Sequence, residues 1–208
     1  MKINIFFDLD GTLIDASERL YKLFIDLIPD CKLTKQEYWS LKRQNIKHKT
    51  IIENFCSNYN FDDFESKWLN NIENINYLSY DKIFDDTINI LQYLTLTLSK
   101  KYNLYLLTAR QSKENLYKEL TKFQILNFFK NIFITKQKYT KTEMINQQFF
   151  NLSNDDFIVG DTINDILCGK ELNIKTIALT NGFINKNILE KYQPNYLCNT
   201  LTELKNIF

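Results

Sequence analysis

A chain of 208 residues is long enough to bury one sizeable core with room for a modest insertion, and 26 basic residues against 25 acidic ones leave it at net +1. Such a balance exerts no general pull on nucleic acid or on an anionic membrane, so neither is expected as a partner. Cys31, Cys56, Cys168 and Cys198 are scattered without a CxxC spacing, which excludes a paired-cysteine metal site and predicts reduced thiols in a cytoplasmic protein. The start, MKINIFFDLDG, lacks the apolar core and cleavage site of a signal peptide, and no apolar run approaches the roughly 18 residues of a membrane span.

In chain order, an apolar run over 3–9 predicts a buried strand that ends on two acids, Asp8 and Asp10. From there to Asp81 no convincing strand appears. Instead, amphipathic patterns predict helices over 16–28, 35–44, 50–59 and 61–75, with Pro29, Asn58 and Asn60 among the breakers. Beyond Asp81, helical patterns over 86–100, 112–123, 142–150 and 163–172 alternate with strand-like runs over 103–107, 132–134, 157–159 and 174–179. A short edge strand over 195–198 and a last helical turn or two over 201–208 close the chain. The expected fold is α/β, a doubly wound parallel sheet, with residues 1–15 and 81–208 forming the core and 16–80 an inserted all-helical domain.

In an open parallel sheet, ligands collect at the carboxyl ends of the strands. Asp8, Thr108 in YLLTAR and Asp161 in FIVGDTINDI are each the first polar residue after an apolar run. Any one of them alone reads as a turn or helix cap. Together they gather carboxylates at one sheet edge, where like charges raise each other's pKa unless a cation neutralises them. Oxygen ligands alone point to Mg²⁺, which leaves coordination positions free for a phosphate.

Nearly all of the chain resembles the haloacid dehalogenase-like hydrolase superfamily. DLDGTLID, the Thr of LYLLTAR, a lysine in ITKQKYTKTEMI and GDTIND occur in the family's order. The resemblance implies Asp8 as nucleophile, Asp10 as general acid and base, Thr108 as a phosphoryl hydrogen-bond donor and Asp161 with Asp165 as the acidic pair near the metal. It also implies Mg²⁺ held by Asp8, Asp161 and the main-chain carbonyl of Asp10. Lys136, Lys138 and Lys141 all compete for the lysine position; KTEMI looks like a helix start and favours Lys141, with Lys138 next. The tail from Ile174 resembles phosphoglycolate phosphatase-like members, with a Gly-aromatic turn at Gly182 and Phe183.

The helical insertion then corresponds to the cap that closes over the site and selects the substrate, a small phosphorylated metabolite. Arg43, Lys47, His48 and Lys49 lie between two predicted cap helices and Arg110 lies two residues past Thr108. All five are candidates for touching substrate, with an exposed basic turn or a surface ion pair as the plainer reading. His48 is the only histidine, so His-based metal or Ser-His chemistry is excluded. A dehalogenase would need neither Asp10 nor Mg²⁺, and a receiver domain would lack the insertion. A phosphomutase, a phosphonate-cleaving relative with a cap lysine of lowered pKa, and a catalytically silent binding module stay open beside the phosphatase.

Overall fold

The computed structural model describes residues 2–56, 60–98 and 101–208. Strand β1 (Ile3–Phe7) leads to a two-residue strand, β2 (Ile14–Asp15), and then to helices α1 (Ser17–Leu27), α2 (Lys35–Arg43), α3 (His48–Phe55), α4 (Phe61–Asn71) and α5 (Ile75–Leu78). The chain returns through β3 (Lys82–Ile83), α6 (Thr87–Gln92), a π-helical turn over Tyr93–Thr97, β4 (Tyr102–Thr108), α7 (Lys113–Lys122) and β5 (Asn131–Ile134). It ends with α8 (Lys141–Gln148), β6 (Phe157–Gly160), α9 (Ile163–Glu171), β7 (Lys175–Leu179), α10 (Lys186–Lys191), β8 (Tyr196–Cys198) and a 3₁₀ segment over Leu201–Asn206.

Six strands form one sheet in the order β5-β4-β1-β6-β7-β8, and every pairing in it is parallel. Strand side chains alternate between the two faces. Ile5, Phe7, Leu104, Leu106 and Val159 fill one core with Leu91 and Leu116, while Phe6, Tyr105, Leu107 and Ile158 fill the other with Ile145 and Cys168. Both faces are covered by helices, which is why these strands read as continuous apolar runs with no polar alternation. The chain moves outward from β1 to β4 and β5, then crosses back to β6 on the other side of β1. That reversal opens a crevice at the carboxyl ends of β1 and β6, the place where open α/β sheets bind ligands.

The insertion is helical, as the periodicity predicts, and has its own core. Phe24, Ile28, Tyr38, Ile51, Ile52 and Phe64 are buried together, with ring centroids 4.6 Å apart for Phe24 and Tyr38 and 4.3 Å for His48 and Trp68. Expected helix residues 57–59 and 99–100 lie outside the described residues. The antiparallel β2–β3 ribbon, pairing Ile14 with Ile83 and Asp15 with Lys82, joins the insertion to the sheet. Two-residue strands are too short to carry a period, so the sequence pattern does not reveal them.

Two further departures have local causes. Cys31 and Cys56 form a disulfide within the insertion, with Cα atoms 4.9 Å apart, against the expectation of four reduced thiols; Cys168 and Cys198 are free and buried. Cys31 lies in the loop after α1 and Cys56 at the end of α3, 25 residues apart, a distance at which spacing carries no signal. The chain has four glycines, and the left-handed residues that end α2, α7, α9 and α10 are Asn45, Gln124, Asn173 and Gln193, with φ between 47° and 61°. Each sits just past the last helical turn, where glycine is usual.

Phe24→Ala removes the centre of the insertion's core and is expected to cost roughly 3–5 kcal/mol. Denaturant unfolding followed by Trp68 fluorescence checks this; a loss under about 1 kcal/mol would mean that the insertion is not held by this aromatic cluster.

Candidate active site

Asp8 leaves β1 fully in register, its amide donating to the carbonyl of Val159 at 2.9 Å. On the next strand Asp161 follows β6, and Asp165 stands one helical turn into α9. Oxygens of these three buried carboxylates lie within 4.8 Å of one another. Asp161 accepts from the Thr12 hydroxyl at 2.9 Å and from the Phe183 amide at 2.5 Å. The second bond gives the Gly182–Phe183 turn a role, since a Cβ on Gly182 would sit 2.1 Å from Asp161 Oδ2. Gly11, at φ 85°, makes the same close approach from the other side, at 2.2 Å. Asp165 accepts at Oδ2 from the Thr162 amide at 3.0 Å and hydroxyl at 2.6 Å, which leaves Oδ1 for another donor.

That donor is Lys141. Thr140 caps α8 through a reciprocal pair with Glu143, which fixes Lys141 as the first helical residue. Its Nζ donates to Asp8 Oδ1 at 2.6 Å and to Asp165 Oδ1. Of the three candidate lysines it is the one that meets Asp8; Lys136 and Lys138 are exposed in the preceding turn. Thr108 ends β4 buried, its hydroxyl accepting from the Arg110 amide at 3.3 Å.

One lysine does not neutralise three carboxylates. Burial, opposed by Lys141 and reinforced by Asp165 and Asp10, pushes Asp8 up to about 7. Burial and the neighbouring Asp8 and Asp165 hold Asp161 well above the ordinary carboxylate range. Lys141 itself is pushed up, because Asp165 and Asp8 outweigh its burial. A buried all-oxygen donor set with this excess of negative charge fits a hard divalent cation.

Asp10 has different company. Its carboxylate is 2.6 Å from Arg19 and 2.7 Å from Arg110, and although burial opposes its charge, Arg110 and Arg19 hold it well below the usual range. Both arginines also reach Asp81 at 3.1 Å, and Arg110 reaches Glu119 at 2.9 Å. Two cations therefore face three carboxyls in a buried cluster. Burial, with Asp10 and Glu119 adding to it against Arg19, pushes Asp81 up to about 8. Arg110 is thus an internal strut with 4 % of its surface exposed, not a surface ion pair. Sequence patterns did not single out Arg19, Asp81 or Glu119. One signal was present: Arg19 stands four residues before Leu23, on the buried stripe of α1.

The remaining candidates divide. Arg43 ties the insertion to the core, its guanidinium donating to the Thr180 carbonyl and its own carbonyl accepting from the Asn185 amide at 2.9 Å. Lys47 and His48 line a cavity of about 540 Å³ between the helical insertion and the first turn of α9. His48 Nε2 is 2.9 Å from the Tyr38 hydroxyl. Lys49 is exposed.

Residues 5–179 match the family model of the haloacid dehalogenase-like hydrolases. The chain belongs to this family. Among curated proteins none matches it. A haloacid dehalogenase-like family hydrolase from Streptococcus pneumoniae is 24% identical, with a TM-score of 0.77 over 100% of this chain and 98% of that one. A predicted phosphoglycolate phosphatase from Haemophilus somnus is 17% identical, with a TM-score of 0.69 over 99% and 97%. The HAD-hydrolase YfnB of Bacillus subtilis, bound to magnesium, is 18% identical, with a TM-score of 0.67 over 99% and 98%. At these identities the likeness is one of fold. No helix among the described residues of this haloacid dehalogenase-like hydrolase is long and apolar enough to cross a membrane.

The acidic cluster sets a pH dependence for the metal-free protein. Asp8 loses its proton near 3.8 when unfolded and near 7 when folded, so between those values the folded state binds more protons and stability falls as pH rises. Thermal unfolding is expected to show a falling Tm from about pH 5 to about pH 7.5, a flatter profile in Asp8→Asn, and a larger Mg²⁺ stabilisation at the higher pH. An identical profile in Asp8→Asn would contradict this electrostatic reading.

Proposed function

We propose that this hydrolase is a Mg²⁺-dependent phosphomonoesterase acting on a small phosphorylated metabolite, with Asp8 as nucleophile. The observation that carries the reading is the meeting of Asp8, Asp161, Asp165 and Lys141 at the ends of β1 and β6. Asp8, Asp161 and the main-chain carbonyl of Asp10 would hold Mg²⁺, which offsets the repulsion between an anionic nucleophile and an anionic phosphate. Asp165 supports the cluster through Lys141.

In the first half-reaction an Asp8 carboxylate oxygen attacks phosphorus while the bond to the ester oxygen breaks, giving an aspartyl-phosphate. Lys141 holds Asp8 and a phosphoryl oxygen by charge-assisted hydrogen bonds, and the Thr108 hydroxyl donates to another oxygen. Asp10 protonates the leaving oxygen. In the second half Asp10 takes a proton from the water that attacks phosphorus, and phosphate leaves with Asp8 restored. Clamped by Arg19 and Arg110, the Asp10 carboxylate is ionised and suited to the second role; the first requires it to leave that clamp carrying a proton. Arg19 lies on α1, so movement of the insertion against the core would change the clamp. Arg43 acts as a tether between insertion and core, and Arg110 as the strut behind Asp10.

With Mg²⁺ and an aryl phosphate, the wild type is expected to release phosphate and Asp8→Asn to lose at least about 10³-fold in rate while keeping its far-UV circular dichroism. Full activity in Asp8→Asn would overturn the nucleophile assignment.

A further inference from the structure

Asp10 and four buried charged side chains, Arg19, Asp81, Arg110 and Glu119, form one cluster whose hydrogen bonds are unevenly shared. Arg110 Nη2, with two hydrogens to give, faces three carboxyl oxygens: Asp10 Oδ1 at 2.8 Å, Glu119 Oε2 at 2.9 Å and Asp81 Oδ2 at 3.1 Å. Nη1 of the same guanidinium has no hydrogen-bond partner among the described residues, and neither has Glu119 Oε1. Arg19 donates from Nη2 to Asp10 Oδ1 at 2.6 Å and from Nη1 to the Ile72 carbonyl at 3.4 Å. Its Nε stands 3.1 Å from Asp81 Oδ1 without an aligned hydrogen bond. Two cations thus meet three acids, with one acceptor too many on one nitrogen.

Exposure decides which member can leave. The side chains of Arg19, Asp81, Arg110 and Glu119 are 4 % exposed or less, and that of Asp10 is 20 % exposed. Glu119 lies on the buried stripe of α7 between Leu116 and Leu120, and Asp81 directly precedes β3. Once the Asp10 carboxyl turns away, Arg110 Nη2 has two acceptors for its two hydrogens, Asp81 and Glu119, and two acids remain for two cations. A buried guanidinium left with no acid at all is strongly unfavourable, so the remaining pair is what permits the departure.

We propose that Asp81 and Glu119 are positioning residues for Asp10, holding the charge of Arg19 and Arg110 while the Asp10 carboxyl is away at the reacting atoms. The inference rests on the phosphomonoesterase reading, in which Asp10 leaves its clamp to protonate the ester oxygen. It adds to that reading two residues that act through the arginines. With either acid neutralised by substitution, the cluster holds two cations and two acids while Asp10 is in place, and two cations with one acid once it has gone. Such a cluster retains Asp10, so the variant folds well and turns over slowly.

Glu119→Gln and, independently, Asp81→Asn test it, each with an alkyl phosphate, whose leaving oxygen needs a proton, and an aryl phosphate, whose leaving group does not. Thermal midpoints are expected within roughly 3 °C of the wild type or above it, because the acid removed is the surplus one. On the alkyl phosphate kcat is expected to fall about ten- to a hundredfold with KM nearly unchanged, while the aryl phosphate burst slows by less than about threefold. In an Asp10→Asn background, where nothing is left to position, Glu119→Gln is expected to change residual aryl phosphate turnover by less than about twofold. A full loss in that background, equal losses on the alkyl ester and in the aryl burst, or unaltered alkyl phosphate turnover would each overturn the proposal. So would unfolding of both variants, the mark of an ion cluster with a structural role alone. Absence of phosphate release from either ester by the wild type would instead overturn the phosphomonoesterase reading beneath it.

Discussion

The ion pairs of Lys141 with Asp8 and Asp165 are the constraint on which the rest of the site depends. Three carboxylates are buried where two parallel strands end, and burial of that much negative charge is unfavourable unless cations meet it. A single ammonium, delivered by the first residue of α8, bridges two of the three. The third, Asp161, is held by a hydroxyl and an amide and stays far from its ordinary titration range. The site is therefore built short of one cation. The fold tolerates this because the sheet, covered on both faces, fixes the strand ends that carry the acids.

A second charged cluster lies beside the first and works differently. Arg19, Arg110, Asp10, Asp81 and Glu119 draw on α1, α7, the end of the insertion and the loops after β1 and β4. Its members come from both the helical insertion and the core, so it links the insertion's position to the state of Asp10. Arg43, bonded to Thr180 and Asn185, is a second tether across the same junction. A cavity lined by Lys42, Lys47 and His48 of the insertion and by Thr162 and Phe183 of the core lies at the same junction.

Much of this was legible in the sequence, for identifiable reasons. Strands buried on both faces produce apolar runs, and the first polar residue after each run marks a strand end; that logic found Asp8, Thr108 and Asp161. Lys141 was legible through the helix-start look of KTEMI within the resemblance to the family. The β2–β3 ribbon, the Cys31–Cys56 pairing and the arginine clamp on Asp10 were not. Each depends on contacts between residues distant in the chain, which neither periodicity nor local spacing encodes. Arg110 illustrates the difference: two residues past a strand end it read as a surface or substrate-facing group, and only the packing of α7 and the return strand shows that it is enclosed by three acids.

The covalent intermediate on Asp8 is the central claim, and it can be trapped. In Asp10→Asn an aryl phosphate, whose leaving group needs no proton, should still phosphorylate Asp8 while attack by water is slowed. Quenching that reaction and reducing with borohydride converts an aspartyl-phosphate to homoserine, which peptide mass spectrometry locates. The account predicts homoserine at position 8 alongside a burst of about one aryl alcohol per enzyme. A burst with aspartate intact at position 8, or homoserine at another position, would contradict it.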